Sequence, residues 1–260
     1  MITGSKPRPR FEKATLVECI DFTPELAVMR IAPQTKLDFI PGQFATLAFE
    51  ESGRLSQRAY SIASAPHEPL IEFFVELVPG GLLTPRLWEL KPGDTLLMRN
   101  QAAGAFLLDN KSGFARHLMI ATVTGVAPFI SMLRAHAYAL ARDANNDLRF
   151  LLLHGASYSR DFGFYRDELS ELARQGWLTY VDTVSRPIEN PEWRGEVGRV
   201  EDLIRKYADE SGYNHTNSVA YACGHPVMIE NAKAMLMRAR FAKKQIHSEK
   251  FFTIKAPKLG

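Results

Sequence analysis

The chain has 260 residues, of which 46% are hydrophobic and 23% charged, and its formal net charge is +3. That length allows about two modest domains, the balance supports a real core and excludes general disorder, and so small a charge gives no argument for a nucleic-acid partner. Two cysteines, Cys19 and Cys223, exclude a disulfide framework within the chain and any zinc or iron–sulfur centre held by four of its cysteines. No metal site is expected. The opening MITGSKPRPR has no apolar core of a secretory signal, and no apolar run is long enough to span a bilayer. A soluble, cytoplasmic protein that does not engage membranes is expected.

In chain order, residues 14–20 and 26–31 are short apolar-rich runs split by the turn-like Asp21-Phe22-Thr23-Pro24. Pro41-Gly42 precedes a strand at 44–49; the run 70–78 is rich in β-formers and stops at Pro79-Gly80-Gly81; Pro92-Gly93-Asp94 turns into 95–98. Short strands at regular spacing with turn signals indicate a sandwich or barrel. The pattern changes near Phe114. Apolar runs at 117–123, 148–154, 178–184 and 218–223 alternate with helical stretches starting near Pro128 and at 167–175, 200–208 and 227–241. Strands alternating with helices imply a parallel sheet. The expected fold is an N-terminal antiparallel β-barrel domain, residues 1–112, followed by a parallel-sheet α/β domain, residues 113–260.

Four motifs carry chemistry. In Arg58-Ala59-Tyr60-Ser61, strand alternation places the Arg58 fork and the Tyr60 ring on one face, a cation for a pyrophosphate beside a ring for a heterocycle, while Ser61 is a small hydrogen-bonding group. In Gly80-Gly81-Leu82-Leu83-Thr84, glycines before a helix let backbone N–H groups approach an anion; read alone, it is a plain turn with Thr84 as N-cap. Thr124-Gly125-Val126-Ala127-Pro128 follows the first strand of the parallel sheet, where open sheets bind ligands, but its one glycine makes it no dinucleotide fingerprint. Cys223-Gly224-His225-Pro226 sits at the end of a strand and before a helix; a free cysteine there is more often a small buried hydrophobe than a functional thiol.

Together and in this order the four motifs resemble the ferredoxin–NADP reductase family, over nearly the whole chain from about Phe11 to about Phe252, and are most similar to its compact bacterial flavodoxin/ferredoxin reductases. The resemblance implies FAD in the barrel and NADP(H) in the α/β domain. It implies that Arg58 holds the FAD pyrophosphate with Ala59 beside it, that Tyr60 stacks on the isoalloxazine and that Ser61 lies near flavin N5. Phe74, Val75, Glu76 and Leu77 would line the flavin and adenosine side, and Leu82, Leu83 and Thr84 the pyrophosphate cradle. Thr124 would lie beside the flavin and Cys223 near the nicotinamide. Glu249 would assist protonation or charge balance, and Phe251 or Phe252 would cover the flavin from a C-terminal tail. Ser185, Arg186 and Arg199 match positions that select a 2′-phosphate. Ser61, Cys223 and Glu249 are thus the candidate catalytic residues.

Two departures stand out. Val123 occupies a position where the family has glycine, and Ser157 one where it often has a cation. The segment 187–196, with Trp193-Arg194-Gly195, looks like NADH-using relatives. The activity implied is electron transfer between NADPH and a one-electron carrier, an acidic ferredoxin or flavodoxin, by a monomer. The residues from Asn231 to the C-terminus hold eight Lys/Arg against Glu249, a candidate basic dock for such a carrier. Two other readings stay open: an NADH-dependent reductase component of an oxygenase-type system, and a flavin relay subunit with weak pyridine-nucleotide turnover.

Overall fold

The computed structural model describes residues 10–143 and 147–250. The chain divides into two compact units, Met1–Leu107 and Leu108–Gly260.

The first unit is a six-stranded antiparallel sheet. Its strands are β1 (Phe11–Thr23), β2 (Leu26–Pro33), β3 (Phe44–Glu51), β4 (Arg54–Ser61), β5 (Ile71–Glu76) and β6 (Thr95–Arg99), in the order β4-β3-β6-β1-β2-β5. The sheet curls so that its two edges meet, with Ala63 N–H donating to the Glu72 carbonyl at 2.8 Å just past β4 and on β5. Within the strands themselves β4 pairs only with β3 and β5 only with β2. Alternate side chains of the strands, among them Leu16, Met29, Ile31, Leu47, Phe73, Val75 and Met98, fill the interior. The turn expected at 21–24 is tighter than that: β1 continues to Thr23, which pairs with Leu26, leaving Pro24-Glu25 as the link. One short helix, α1 (Thr84–Glu89), follows β5.

The second unit is a six-stranded parallel sheet with the order β10-β9-β8-β7-β11-β12. The strands are β7 (Arg116–Thr122), β8 (Arg149–Ala156), β9 (Leu178–Val184), β10 (Glu196–Val197), β11 (Ser218–Gly224) and β12 (Ile246–Lys250). Helices α2 (Ala127–Leu140), α3 (Tyr165–Ala173), α4 (Ile204–Glu210) and α5 (Pro226–Arg238) connect them. The central strands β7, β8 and β11 are buried almost throughout, as strands covered on both faces must be. Two strands, β10 and β12, were not legible as apolar runs, because both are edges: β10 has two residues and β12 reads IHSEK. The helix expected from 200 begins as a 3-10 turn, Val200–Leu203, before α4. No helix among the described residues is long and apolar enough to cross a membrane.

Candidate functional site

In the first unit the Arg58 motif ends β4. Arg58 and Ala59 are exposed, Tyr60 is half-buried and Ser61 is buried. Tyr60 packs edge-on to Phe73 with ring centroids 6.3 Å apart, and burial pushes its phenol well above the usual range. Arg58 Nη1 donates to the Gln57 carbonyl at 2.8 Å, which orients the guanidinium against its own strand. The Ser61 hydroxyl is buried and makes no hydrogen bond to any described residue. A buried hydroxyl without a partner forgoes about 1–3 kcal/mol of hydration, a cost that a ligand atom can recover.

Phe74 and Val75 are buried, with Val75 in the barrel core, while Glu76 is exposed and Leu77 half-buried. The glycine turn is closed by Thr84, whose Oγ1 accepts from the Val78 N–H at 3.0 Å and donates to the Val78 carbonyl at 3.3 Å. This corrects the N-cap reading: Leu83 is the cap and Thr84 instead ties the loop ends together. Gly80 adopts φ +72°, and Leu82 is exposed while Leu83 is buried. An exposed cation, a half-buried ring, an unsatisfied hydroxyl and a glycine loop therefore lie in one unit.

In the second unit the loops after β7 and β11 interlock. A Cβ on Gly125 would stand 2.3 Å from the Cys223 carbonyl oxygen, and one on Gly224 2.3 Å from Thr122 Oγ1. Thr122 Oγ1 also accepts from the His225 N–H at 2.9 Å. The two backbones touch because both glycines lack side chains. Thr124 is buried in this crossing. Cys223 is fully buried and pairs in register with Glu249 on β12 and Ala121 on β7. Burial, reinforced by Glu249, pushes the thiol well above its usual range, so Cys223 is a neutral, compact group and not a nucleophilic thiolate.

Val123, the family departure, has φ +45°. A β-branched residue in the left-handed region is strained, by about 1–3 kcal/mol. Two features hold it there. Its side chain packs against a small cluster of Ala156, Phe162, Val184 and Trp193. Its carbonyl oxygen accepts a hydrogen bond from His154 Nε2 at 3.1 Å. A carbonyl only accepts, so the His154 proton sits on Nε2 and Nδ1 accepts from the Tyr180 hydroxyl at 3.3 Å. Val123→Gly is accordingly expected to be more stable than Val123→Ala by about 0.5–1 kcal/mol, the reverse of the usual order. Both variants lose the isopropyl packing, but only glycine also releases the strain. Denaturant midpoints of the two proteins check this; an alanine variant at least as stable as the glycine one would mean that residue 123 is not held left-handed.

The candidate 2′-phosphate residues leave one end of the sheet. Ser185 N–H donates to the Ala156 carbonyl at 2.9 Å and Gly198 N–H to the Val184 carbonyl at 2.9 Å, so the Ser185-Arg186 and Gly198-Arg199 pairs start from neighbouring backbones. Ser185, Arg186 and Arg199 are exposed. Arg199 lies 4.0 Å from the buried Glu201 carboxylate, which also accepts from Asn231 at 3.0 Å. His154 in β8, and Tyr158, Arg160 and Glu189 on the loops after β8 and β9, lie at this same end of the sheet and were not singled out from the sequence. His154 reads as the last residue of an apolar run and the others as loop; their one signal was position, just after β8 and β9, where parallel sheets place ligands.

The basic C-terminal run does not form one surface. Lys233 and Lys250 both lie by Glu230, at 3.5 and 2.7 Å. Arg238, Arg240, Lys243 and Lys244 are exposed but belong to the end of α5 and the turn before β12, at the opposite end of the sheet from Cys223. Phe251 and Phe252 lie outside the described residues.

Comparison with known proteins finds one family model in each half of the chain. The family described as oxidoreductase FAD-binding domain matches residues 14–105, and the oxidoreductase NAD-binding domain matches residues 119–234. The chain is 34% identical over 203 residues to the flavodoxin/ferredoxin–NADP reductase of Escherichia coli (strain K12), covering 76% of this chain and 78% of that one. It is 34% identical over 242 residues to ferredoxin–NADP reductase A of Sorangium cellulosum, covering 88% and 83%. The crystal structure of a ferredoxin NADP+ reductase from Neisseria gonorrhoeae with bound FAD and NADP superposes with a TM-score of 0.79 at 25% identity, over 93% of this chain and 99% of that one.

Proposed function

Because the chain belongs to the ferredoxin–NADP reductase family, we propose that it is an FAD-dependent oxidoreductase transferring electrons between NADPH and ferredoxin or flavodoxin. The observation that carries the reading is the buried Ser61 hydroxyl, without a hydrogen bond among the described residues, at the end of the Arg58-Ala59-Tyr60-Ser61 strand. FAD, when bound, supplies the exchange between electron pairs and single electrons. The protein's part is binding, orientation and charge. Arg58 would fix the pyrophosphate, with Leu82, Leu83 and Thr84 shaping the loop beneath it. Tyr60 would offer its ring face, and Ser61 would satisfy its hydroxyl on a polar edge of the isoalloxazine. Phe74, Val75, Glu76 and Leu77 would line the same side.

In the nucleotide domain the Gly125–Gly224 crossing sets a backbone floor. Thr124 and the neutral Cys223 thiol would bound the nicotinamide by size and polarity, and Glu249, in register beside Cys223, would balance charge or hold a proton. Ser185, Arg186 and Arg199 would face the 2′-phosphate. A cytoplasmic monomer serving an acidic carrier completes the reading.

Anaerobic titration tests it. The visible flavin bands of the purified protein are expected to bleach with NADPH faster than with NADH. Bands that bleach only with NADH would make it an NADH-dependent reductase, and bands that neither nucleotide bleaches would make it a relay subunit. In Arg58→Ala, loss of a charge-assisted phosphate contact is expected to weaken FAD binding roughly tenfold or more, read from flavin fluorescence on dilution. Unchanged FAD affinity would remove Arg58 from the site.

A further inference from the structure

We propose that Glu189 and Arg160 set the choice between a 2′-phosphorylated and an unphosphorylated adenosine, Glu189 by competing for Arg186 and Arg160 by supplying a second cation. The proposal rests on the reading above, that the ends of β8 and β9 receive the adenosine half of a pyridine nucleotide.

The cluster is built around Tyr158. Its ring has the Arg160 guanidinium 4.2 Å from the centroid and that of Arg186 at 5.3 Å. Arg186 Nη1 donates to the Tyr158 hydroxyl at 2.6 Å, and that hydroxyl donates its single proton to Glu189 Oε2 at 2.9 Å. Glu189 Oε1 lies 3.7 Å from Arg186 Nη1. One carboxylate thus engages Arg186 both directly and through the phenol.

The frame beneath is tied by one side chain. Asn190 is buried, and its Nδ2 donates to the carbonyls of Ser157 at 3.2 Å and Arg186 at 2.7 Å. Its Oδ1 accepts from the Ser159 N–H at 2.8 Å. A single side chain therefore braces the loop after β8 against the loop after β9, and the charged groups stand at set positions on both.

The consequence follows from charge. Two arginines stand against Glu189 and against Asp161, whose carboxylate accepts from the Tyr158 N–H at 3.1 Å, so the cluster carries no net charge. A 2′-phosphate, with roughly 1.5–2 negative charges at neutral pH, gains from both arginines but must displace or face Glu189. A 2′-hydroxyl, by contrast, is a donor that an acidic side chain accepts from, as acidic residues do in NAD sites. Arg160 therefore restores a cation three residues past Ser157, and Glu189 offsets it. These side chains are exposed, so screening limits each effect to a few-fold.

Isothermal titration of the FAD-loaded protein with 5′-AMP and with adenosine 2′,5′-bisphosphate separates the effects, since the two ligands differ only in the 2′-phosphate. Glu189→Gln is expected to bind the bisphosphate about fivefold more tightly and 5′-AMP equally or more weakly. Arg160→Gln is expected to bind the bisphosphate about fivefold more weakly, with 5′-AMP unchanged. If all three proteins bind both ligands with one affinity ratio, the proposal is wrong while the nucleotide site stands. If the unaltered protein binds neither ligand, the site reading itself fails and the proposal with it.

Discussion

Between pH 7 and pH 5 the nucleotide-binding domain is expected to lose roughly 5–6 kcal/mol of stability, through three buried histidines acting in the same direction. His117, His136 and His154 are 1%, 5% and 0% exposed, and burial is the main cause that pushes each down from 6.5 to about 4. Secondary influences differ. Asp109 pulls His117 up while His136 and His247 push it down, Arg149 pushes His136 down, and the bond to the Val123 carbonyl pulls His154 up. Because the folded values lie below the unfolded ones, the unfolded chain binds the protons first. The stability is fully present above about pH 6.5 and is lost as pH falls toward 4. Each histidine contributes roughly 2 kcal/mol over the interval from pH 7 to pH 5, against a typical total of 5–15.

The side chains around these rings explain why none stays charged. His117 stacks on Phe150 at 5.3 Å, and His136 packs edge-on to Phe150 and Trp177 at 4.9 and 4.8 Å. The Nε2 atoms of His117 and His136 are buried without a hydrogen bond to any described residue. Urea midpoints at pH 7 and pH 5 measure the loss, and His136→Leu should remove about a third of it. A midpoint that does not move between the two pH values would show that these rings are not buried neutral.

Gly125→Ala is expected to cost about 3 kcal/mol or more, lowering Tm by roughly 6–12 °C. The added methyl would stand 2.3 Å from the Cys223 carbonyl oxygen, 2.7 Å from its carbon and 2.7 Å from the Gly224 Cα. All three are backbone atoms of a central buried strand, so no side chain can swing away to make room. Gly113→Ala is the control. Its φ is +75° but nothing lies within 4 Å of the added methyl, so its cost is limited to about 1–2 kcal/mol of backbone strain. Adenosine 2′,5′-bisphosphate binding should survive in Gly125→Ala wherever it stays folded, since Arg160 and Arg186 leave different strands. A Gly125→Ala protein with unaltered Tm would mean that the β7 and β11 loops do not meet as described.

The two-domain order was readable because its signals are local. Alternating β-formers broken by Pro-Gly turns mark the barrel strands, and apolar runs such as LMIAT and LLLHG mark strands buried on both faces. Edge strands carry no such mark, which is why β10 and β12 escaped notice. Arg58-Ala59-Tyr60-Ser61 was legible for the same reason, since strand alternation alone assigns its faces. Thr84 was misjudged because a threonine before a helical stretch looks like a cap, while its actual partners are both atoms of Val78 across the loop.

Composition and local pattern thus decided that this chain makes a β-barrel followed by a parallel α/β sheet, and they picked out its glycine turns, its strand-end motifs and the anomalous Val123. Only folding decided which of those residues meet. The left-handed turn at Val123 depends on a histidine from β8, the Gly125–Gly224 contact on strands about a hundred residues apart, and the Tyr158 cluster on two loops braced by Asn190. Neighbours in the chain share periodicity, which a sequence displays directly. Neighbours in a parallel sheet are separated by whole helices, and their contacts exist only once the crossovers have closed.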